Sequence, residues 1–228
     1  MSKLLDEMLA SAVHFGHRTH KWDPRMKKYI YGEKDGVHVF NLEKTASMLE
    51  DAVNFLSKLV SEGKIVLFVS TKPQALSLIE NTAKDCKMPY VISRWIPGFL
   101  TNFATISKRI KYLNDLKEQE EAGDFDKYTK KEASRLKKKI VKLEESLGGV
   151  QEITRKPDAV FLVDCVRDNI VVKECNKIGI PVVGIVDSNA NPDEVTYPIP
   201  GNDDALKSIT YVVGKVSESI QKSKKTKK

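Results

Sequence analysis

Two kinds of hydrophobic spacing alternate along this 228-residue chain. The first is the continuous apolar run: Lys64-Ile65-Val66-Leu67-Phe68-Val69-Ser70, Ala159-Val160-Phe161-Leu162-Val163-Asp164 and Val182-Val183-Gly184-Ile185-Val186-Asp187. Runs this rich in β-branched residues read as strands covered on both faces. Tyr90-Val91-Ile92 is a shorter one. Helical spacing follows the first run from about Gln74 to Lys87 and the second from about Ile170 to Ile178. Gly179-Ile180-Pro181 then stops a helix and leads straight into the third strand. Strands alternating with helices predict an open parallel sheet with helices on both faces. A last helix is expected from about Asp203 to Ile220, with Asn202 or Asp203 as its N-cap.

Two regions break that rhythm. Residues 14–42 place Tyr29-Ile30-Tyr31 and Val37-His38-Val39-Phe40 on either side of Glu33-Lys34-Asp35-Gly36, the pattern of a β-hairpin-like extension. A helix from about Glu43 to Ser61 follows. In residues 103–147, Ile106, Ile110 and Leu113, and then Leu136, Ile140, Leu143 and Leu147, recur at spacings of three and four around a turn at Glu121-Ala122-Gly123-Asp124-Phe125-Asp126. Two heptad-patterned helices with a short break between them predict an antiparallel coiled-coil hairpin. Its apolar seam is narrow and its other faces are charged, so it should protrude; fifteen residues of one arm span roughly 22 Å. Gly148-Gly149 returns the chain to the sheet. The expected organisation is a sheet domain from 1–102 and 148–221, a hairpin insertion over 103–147, and a basic disordered tail over 222–228.

Composition narrows the class. At 41% hydrophobic residues the chain can bury a core. No run approaches the roughly 18–20 apolar residues of a membrane span, and Met1-Ser2-Lys3-Leu4-Leu5-Asp6-Glu7 lacks a signal-peptide pattern. A cytoplasmic chain, or one made inside an organelle, is expected. Cys86, Cys165 and Cys175 form no CxxC pair, which fits small buried thiols in a reducing compartment. The net charge of +7 matters less than its placement. Arg18, Lys21, Arg25, Lys27, Lys28 and Lys34 face only Asp23 and Glu33 over residues 14–34, and Arg135, Lys137, Lys138 and Lys139 form a second cluster. The C-terminal lysines form a third. Localised positive charge favours a polyanion.

Open parallel sheets bind ligands at the carboxyl ends of their strands. These ends supply Ser70-Thr71-Lys72, Asp164 and Asp187-Ser188-Asn189, with no glycine-rich phosphate loop behind any of them. Thr71-Lys72 can touch a phosphate, but a capped strand-to-helix turn is the default reading. Asp164 has no second acid two residues on, against a phosphotransferase, and no strand–turn–helix presents a nucleophilic serine. His14, His17 and His20 are three apart, but Gly16 and Trp22-Asp23-Pro24 argue for irregular chain there. A metal candidate pairs His17 with Asp187 and Asp203 across the strand ends, against Asp203 as a simple helix cap. RNA contact is favoured where aromatics interleave with basic residues: Trp22 and Tyr29 among Lys21, Arg25, Lys27 and Lys28, and Arg94 beside Trp95. The hairpin adds Lys108, Arg109, Lys111, Lys137 and Lys138. The competing readings are core packing for each tryptophan and a solvated face for the lysines.

Several motifs stand in one order along almost the whole chain: Val13-His14-Phe15-Gly16-His17, Trp22-x-Pro24-x-Met26, Asn41-Leu42-Glu43-Lys44-Thr45, Phe68-Val69-Ser70-Thr71-Lys72, the segment Arg94 to Phe103, Leu147-Gly148-Gly149, and Ile199-Pro200-Gly201-Asn202-Asp203-Asp204-Ala205. Together they resemble the bacterial-type small-subunit ribosomal protein two family. Two positions depart from its pattern. Ile96-Pro97-Gly98 stands where the family has two glycines, and Ser188 replaces a threonine. The resemblance implies a flavodoxin-like sheet with a protruding coiled-coil hairpin and a structural, non-enzymatic role in the small ribosomal subunit, in the cytoplasm or an organelle. It implies small-subunit ribosomal RNA and neighbouring ribosomal proteins as partners, with ribosomal protein one docked in bacteria. No cofactor, membrane or small-molecule substrate is expected beyond a structural metal ion. The alternatives are a nucleotide-dependent enzyme on a similar sheet and an RNA-binding regulator outside the ribosome.

Overall fold

The structure is a computed structural model and describes residues 2–225. Helix α1 (Ser2–Ala10) leads into β1 (Phe15–Arg18), which joins β2 (Ile30–Lys34) and β3 (Val37–Phe40) in an antiparallel sheet of order β1-β3-β2. The expected hairpin is therefore present, and β1 adds a third strand that its short, mixed sequence did not announce. Asp35 and Gly36 close the β2–β3 turn at φ of 54° and 73°, the left-handed pair that a two-residue hairpin requires. Asn41 caps α2 (Leu42–Ser61), its Oδ1 accepting from the amides of Glu43 and Lys44.

The main sheet begins with β4 (Val66–Val69), followed by α3 (Leu76–Asp85) and β5 (Tyr90–Val91). Helices α4 (Phe103–Glu121) and α5 (Lys130–Leu147) come next, then β6 (Ala159–Leu162), α6 (Asn169–Ile178), β7 (Val182–Val186), β8 (Tyr197–Pro200) and α7 (Leu206–Lys225). The five strands are all parallel, in the order β5-β4-β6-β7-β8. The period of two decides which residue meets which layer. Val66, Phe68, Ala159, Phe161, Val183 and Ile185 point into a core shared with α1, α2, α3 and α7. Leu67, Val69, Val160, Leu162, Val182 and Val186 point into the opposite core, shared with α6 and the α4–α5 pair. Phe68 and Phe161 sit opposite each other in register, with ring centroids 5.4 Å apart. Burial on both faces is why these strands read as unbroken apolar runs. β8 was not foreseen. Its Pro198 and Pro200 are tolerated because it is an edge strand.

Two expectations at the C-terminus need correcting. The last helix starts at Leu206, not Asp203, and runs to Lys225. Neither Asn202 nor Asp203 is its N-cap: Asn202 Oδ1 accepts from the amides of Asp204 and Ala205 in the turn ahead of the helix. The Asp203 carboxylate turns inward instead. Residues 222–225 of the expected disordered tail are helical, because tertiary contacts hold them. Ser223 and Ser57 share a hydroxyl hydrogen bond of 2.6 Å, and Lys224 Nζ donates to the Cys86 and Lys87 carbonyls just past the end of α3. Residues 226–228 lie outside the described residues.

Helices α4 and α5 pair antiparallel. Lys139 Nζ donates to Tyr112 Oη at 2.9 Å, Lys137 meets Glu120 at 3.5 Å, and Lys117 meets Glu144. Ile106, Ile110, Leu113, Leu116, Ile140 and Leu147 are buried in the seam, which is continuous with one core of the sheet, while Leu136 and Leu143 are half-buried. Thr129 and Glu132 form a reciprocal capping box at the start of α5. Gly149 is required where α5 returns to the sheet: a Cβ there would lie 2.3 Å from the Tyr90 carbonyl oxygen.

Candidate functional site

The strand ends carry a dense charge cluster. Lys72, just beyond β4, is only 5% exposed. Its Nζ lies 2.7 Å from Asp203 Oδ1, 2.6 Å from Asp204 Oδ1 and 3.3 Å from Asp164 Oδ2. Burial opposes its charge, but the Asp203 hydrogen bond and the surrounding carboxylates outweigh burial and raise its pKa above the ordinary lysine value. Asp203 is pushed up to about 7, first by burial and then by the neighbouring charges of Asp187 and Asp164. Asp204 is more exposed; partial burial opposes its charge, but the Lys72 hydrogen bond and the charges of Lys72 and His17 together outweigh it and hold the carboxyl below its usual range.

His17 joins this cluster to β1. Its backbone amide donates to Asp187 Oδ1 at 3.1 Å and to Ser188 Oγ at 2.8 Å. Its Nδ1 lies 3.0 Å from Asp187 Oδ1 in poor hydrogen-bond alignment, and its Nε2 lies 3.4 Å from Asp204 Oδ2. The Asp187 contact, opposed by burial, raises its pKa to about 9. Gly16 permits the approach, since a Cβ there would lie 2.9 Å from Ser188 Oγ. The predicted trio His17, Asp187 and Asp203 is thus brought together, each offering a ligand atom within 4.8 Å of the others. One nitrogen and two carboxylates can hold a divalent cation with open positions. Lys72 already bonds the nearer Asp203 oxygen, so an ion would have to use the other oxygen or displace the lysine. His14 and His20 do not join this trio. The chain at 15–18 is a strand, where a spacing of three does not share a face.

The basic candidates divide into paired and free. Arg25 is tied to Asp23 by two side-chain bonds, Nε–Oδ1 at 2.9 Å and Nη2–Oδ2 at 2.7 Å, and Lys28 bonds Asp193 at 3.2 Å. Arg18, Lys21 and Lys27 are exposed and have no side-chain partner among the described residues. Trp22 is partly exposed, tilted against His38 with ring centroids 5.1 Å apart. On the hairpin, Lys108, Arg109, Lys111 and Lys138 are exposed without partners among the described residues, while Lys137 meets Glu120. The three cysteines are buried and unpaired.

Arg94 is exposed on a loop that one buried acid holds. Glu174 Oε1 accepts from Trp95 Nε1 at 3.0 Å and from the Gly98 amide at 2.7 Å. Its Oε2 accepts from the Leu100 amide at 3.0 Å, the Thr101 amide at 3.1 Å and the Thr101 hydroxyl at 3.2 Å. Trp95 is therefore a core residue with its indole N–H satisfied, not a stacking platform. The five donors outweigh a burial that opposes charge and keep the carboxyl below its usual range. Glu174 was missed from the sequence because its partners lie more than seventy residues away, with no local signature. Arg167 and Asp168 were missed for a similar reason: they follow β6 but meet Thr71 beyond β4.

An open five-stranded parallel sheet with helices packed on both faces and charged residues at the strand ends defines a flavodoxin-like α/β protein. Residues 8–223 match the family described as Ribosomal protein S2. The chain is 46% identical over 216 residues to small ribosomal subunit protein uS2 of Dehalococcoides mccartyi, covering 95% of this chain and 88% of that one. It is 48% identical to uS2 of Francisella philomiragia over 95% of this chain and 91% of that one, and 45% identical to uS2c of Cyanophora paradoxa over 98% and 96%. The chain belongs to the ribosomal protein S2 family, structural constituents of the small ribosomal subunit. No helix among the described residues is long and apolar enough to cross a membrane.

Proposed function

We propose that the chain binds small-subunit ribosomal RNA directly, through the N-terminal segment 18–28, the Arg94 loop and the basic faces of the hairpin. The observation that carries this is the set of exposed, unpartnered cations on ordered backbone. Arg18 ends a paired strand, Lys21 and Lys27 lie in short helical turns, and Lys108, Arg109 and Lys111 ride one helix. Cations already fixed in place lose less freedom on meeting phosphate than those on a mobile tail. Arg25 and Lys28 contribute less in this reading, since each is engaged by an acid.

Neighbouring ribosomal proteins complete the partner set, with ribosomal protein one docked in a bacterial subunit. No cofactor enters the role. A structural divalent ion at His17, Asp187 and Asp203 is a second reading, favoured by the clustering of their ligand atoms. Elemental analysis of protein purified without chelator tests it: less than a tenth of an equivalent of any divalent metal rejects the ion. For the RNA reading, purified chain is titrated against small-subunit ribosomal RNA over a salt series. Binding whose logarithm falls linearly with log salt is expected; salt-independent or undetectable binding rejects it.

A further inference from the structure

Beyond the surfaces already described, a cleft of about 340 Å³ opens at the carboxyl ends of β5, β4 and β6. Thr71, Ser93, Arg94, Arg167, Asp168 and Ile170 line it. We propose that this cleft is a phosphodiester site that grips one backbone phosphate of the ribosomal RNA between Arg94 and Arg167. The proposal rests on the RNA-binding reading above and adds the location.

Two guanidinium groups face one carboxylate in the lining, and that carboxylate is occupied. Asp168 Oδ1 accepts from the Thr71 hydroxyl at 2.8 Å and Oδ2 from the Thr71 amide at 3.1 Å. Arg167 is preset, and Arg94 stands next to an anchored loop. The Arg167 amide donates to Asp164 Oδ1 at 2.7 Å, and its Nε donates to Thr71 Oγ1 at 3.0 Å. Its two terminal nitrogens have no partner among the described residues. Arg94 rides the loop that Glu174 holds and has no partner among the described residues. A planar, preoriented fork suits a phosphate's paired oxygens, and its cost of ordering falls because the backbone is already fixed. Asp168 turns to Thr71 and leaves the first turn of α6 without a side-chain cap, which adds a weak positive field at the same place. Ile170, about half exposed, offers an apolar rim to a ribose or base edge.

The lining favours a chain phosphate over a free nucleotide. Lys72, a strand-end lysine that would otherwise be free to meet a second phosphate, is enclosed by Asp164, Asp203 and Asp204. No glycine-rich loop follows β4, β6 or β7.

The test uses the full chain and small-subunit ribosomal RNA in a salt series. The R94Q/R167Q double variant is expected to lower the salt slope by about 0.7–0.9, the worth of the one phosphate the two arginines share. The same charge loss at Lys58 and Lys84, outside the cleft, should change it by less than half as much. R94K/R167K should keep the slope and bind more weakly, because charge is retained and the fork is lost. Wild-type slope and affinity in R94Q/R167Q would overturn the site. Failure of the wild-type chain to bind RNA at all would instead overturn the reading beneath it. Micromolar AMP binding that R167Q abolishes, without loss of RNA affinity, would reassign the cleft to free nucleotides. A photocrosslinker at Ser93 in assembled subunits avoids any folding defect in the variants. Crosslinks to RNA are expected, and crosslinks to protein alone reject the proposal.

Discussion

Removing the Glu174 carboxylate should release the loop from Trp95 to Thr101. Five hydrogen bonds end on its two oxygens. In E174A, donors that reach water recover most of what they lose. Trp95 Nε1 and the Leu100 amide are the two whose residues are buried, 5% and 0% exposed. An orphaned buried donor costs about 1–3 kcal/mol, so E174A should lose about 2–6 kcal/mol. E174Q keeps one acceptor oxygen, but its NH2 must face at least two donors, so it should fall between E174A and wild type. Because the folded carboxyl is held below its ordinary value, its contribution is present above the unfolded pKa. That contribution is lost as pH falls through the lower folded value. Urea unfolding followed by tryptophan fluorescence measures the stability loss. Amide exchange at Gly98, Leu100 and Thr101 reports the loop itself. If E174A unfolds within 0.5 kcal/mol of wild type, with those amides equally protected, the clamp is not what orders this loop.

Three other outcomes follow from the same structure. The I110D/L143D double variant should part α4 from α5 by placing charge in the seam, leaving the sheet folded if residues 103–147 are the separate arm proposed from their heptads; limited proteolysis that degrades both together rejects a separate arm. Neutralising Arg18, Lys21 and Lys27 should lower the salt slope of RNA binding by about 2.1–2.7, more than truncation after Gln221, and a larger loss from the truncation would move the anchor to the C-terminus. Gly149→Ala should lower the melting temperature well beyond Gly148→Ala, because its Cβ meets the Tyr90 carbonyl at 2.3 Å while the other finds the flexible Glu144 and Gln151 side chains no nearer than 3.5 Å; equal melts would mean the β5 backbone yields.

Much of the fold was legible because burial on both faces writes itself directly into sequence. β4, β6 and β7 are apolar at every position, so their runs announced strands without tertiary information. The helices α4 and α5 were legible from apolar residues three and four apart, and the β2–β3 turn from Asp35-Gly36, since only such residues sit easily at positive φ. Sequence by itself also marked where positive charge gathers. Only the tertiary structure decided which charges are free. Asp193 takes Lys28 from across the chain, Asp164, Asp203 and Asp204 enclose Lys72, and the strand-end trio assembles from β1, the end of β7 and the turn before α7. The same holds for β8, whose prolines argue against a strand until its edge position is known, and for the last turn of α7, where the Ser57 and Cys86 contacts order residues that composition reads as tail. Glu174 makes the point most sharply. A lone acid on a helix carries no local pattern, and its role exists only because the fold brings five donors to it from a loop more than seventy residues away.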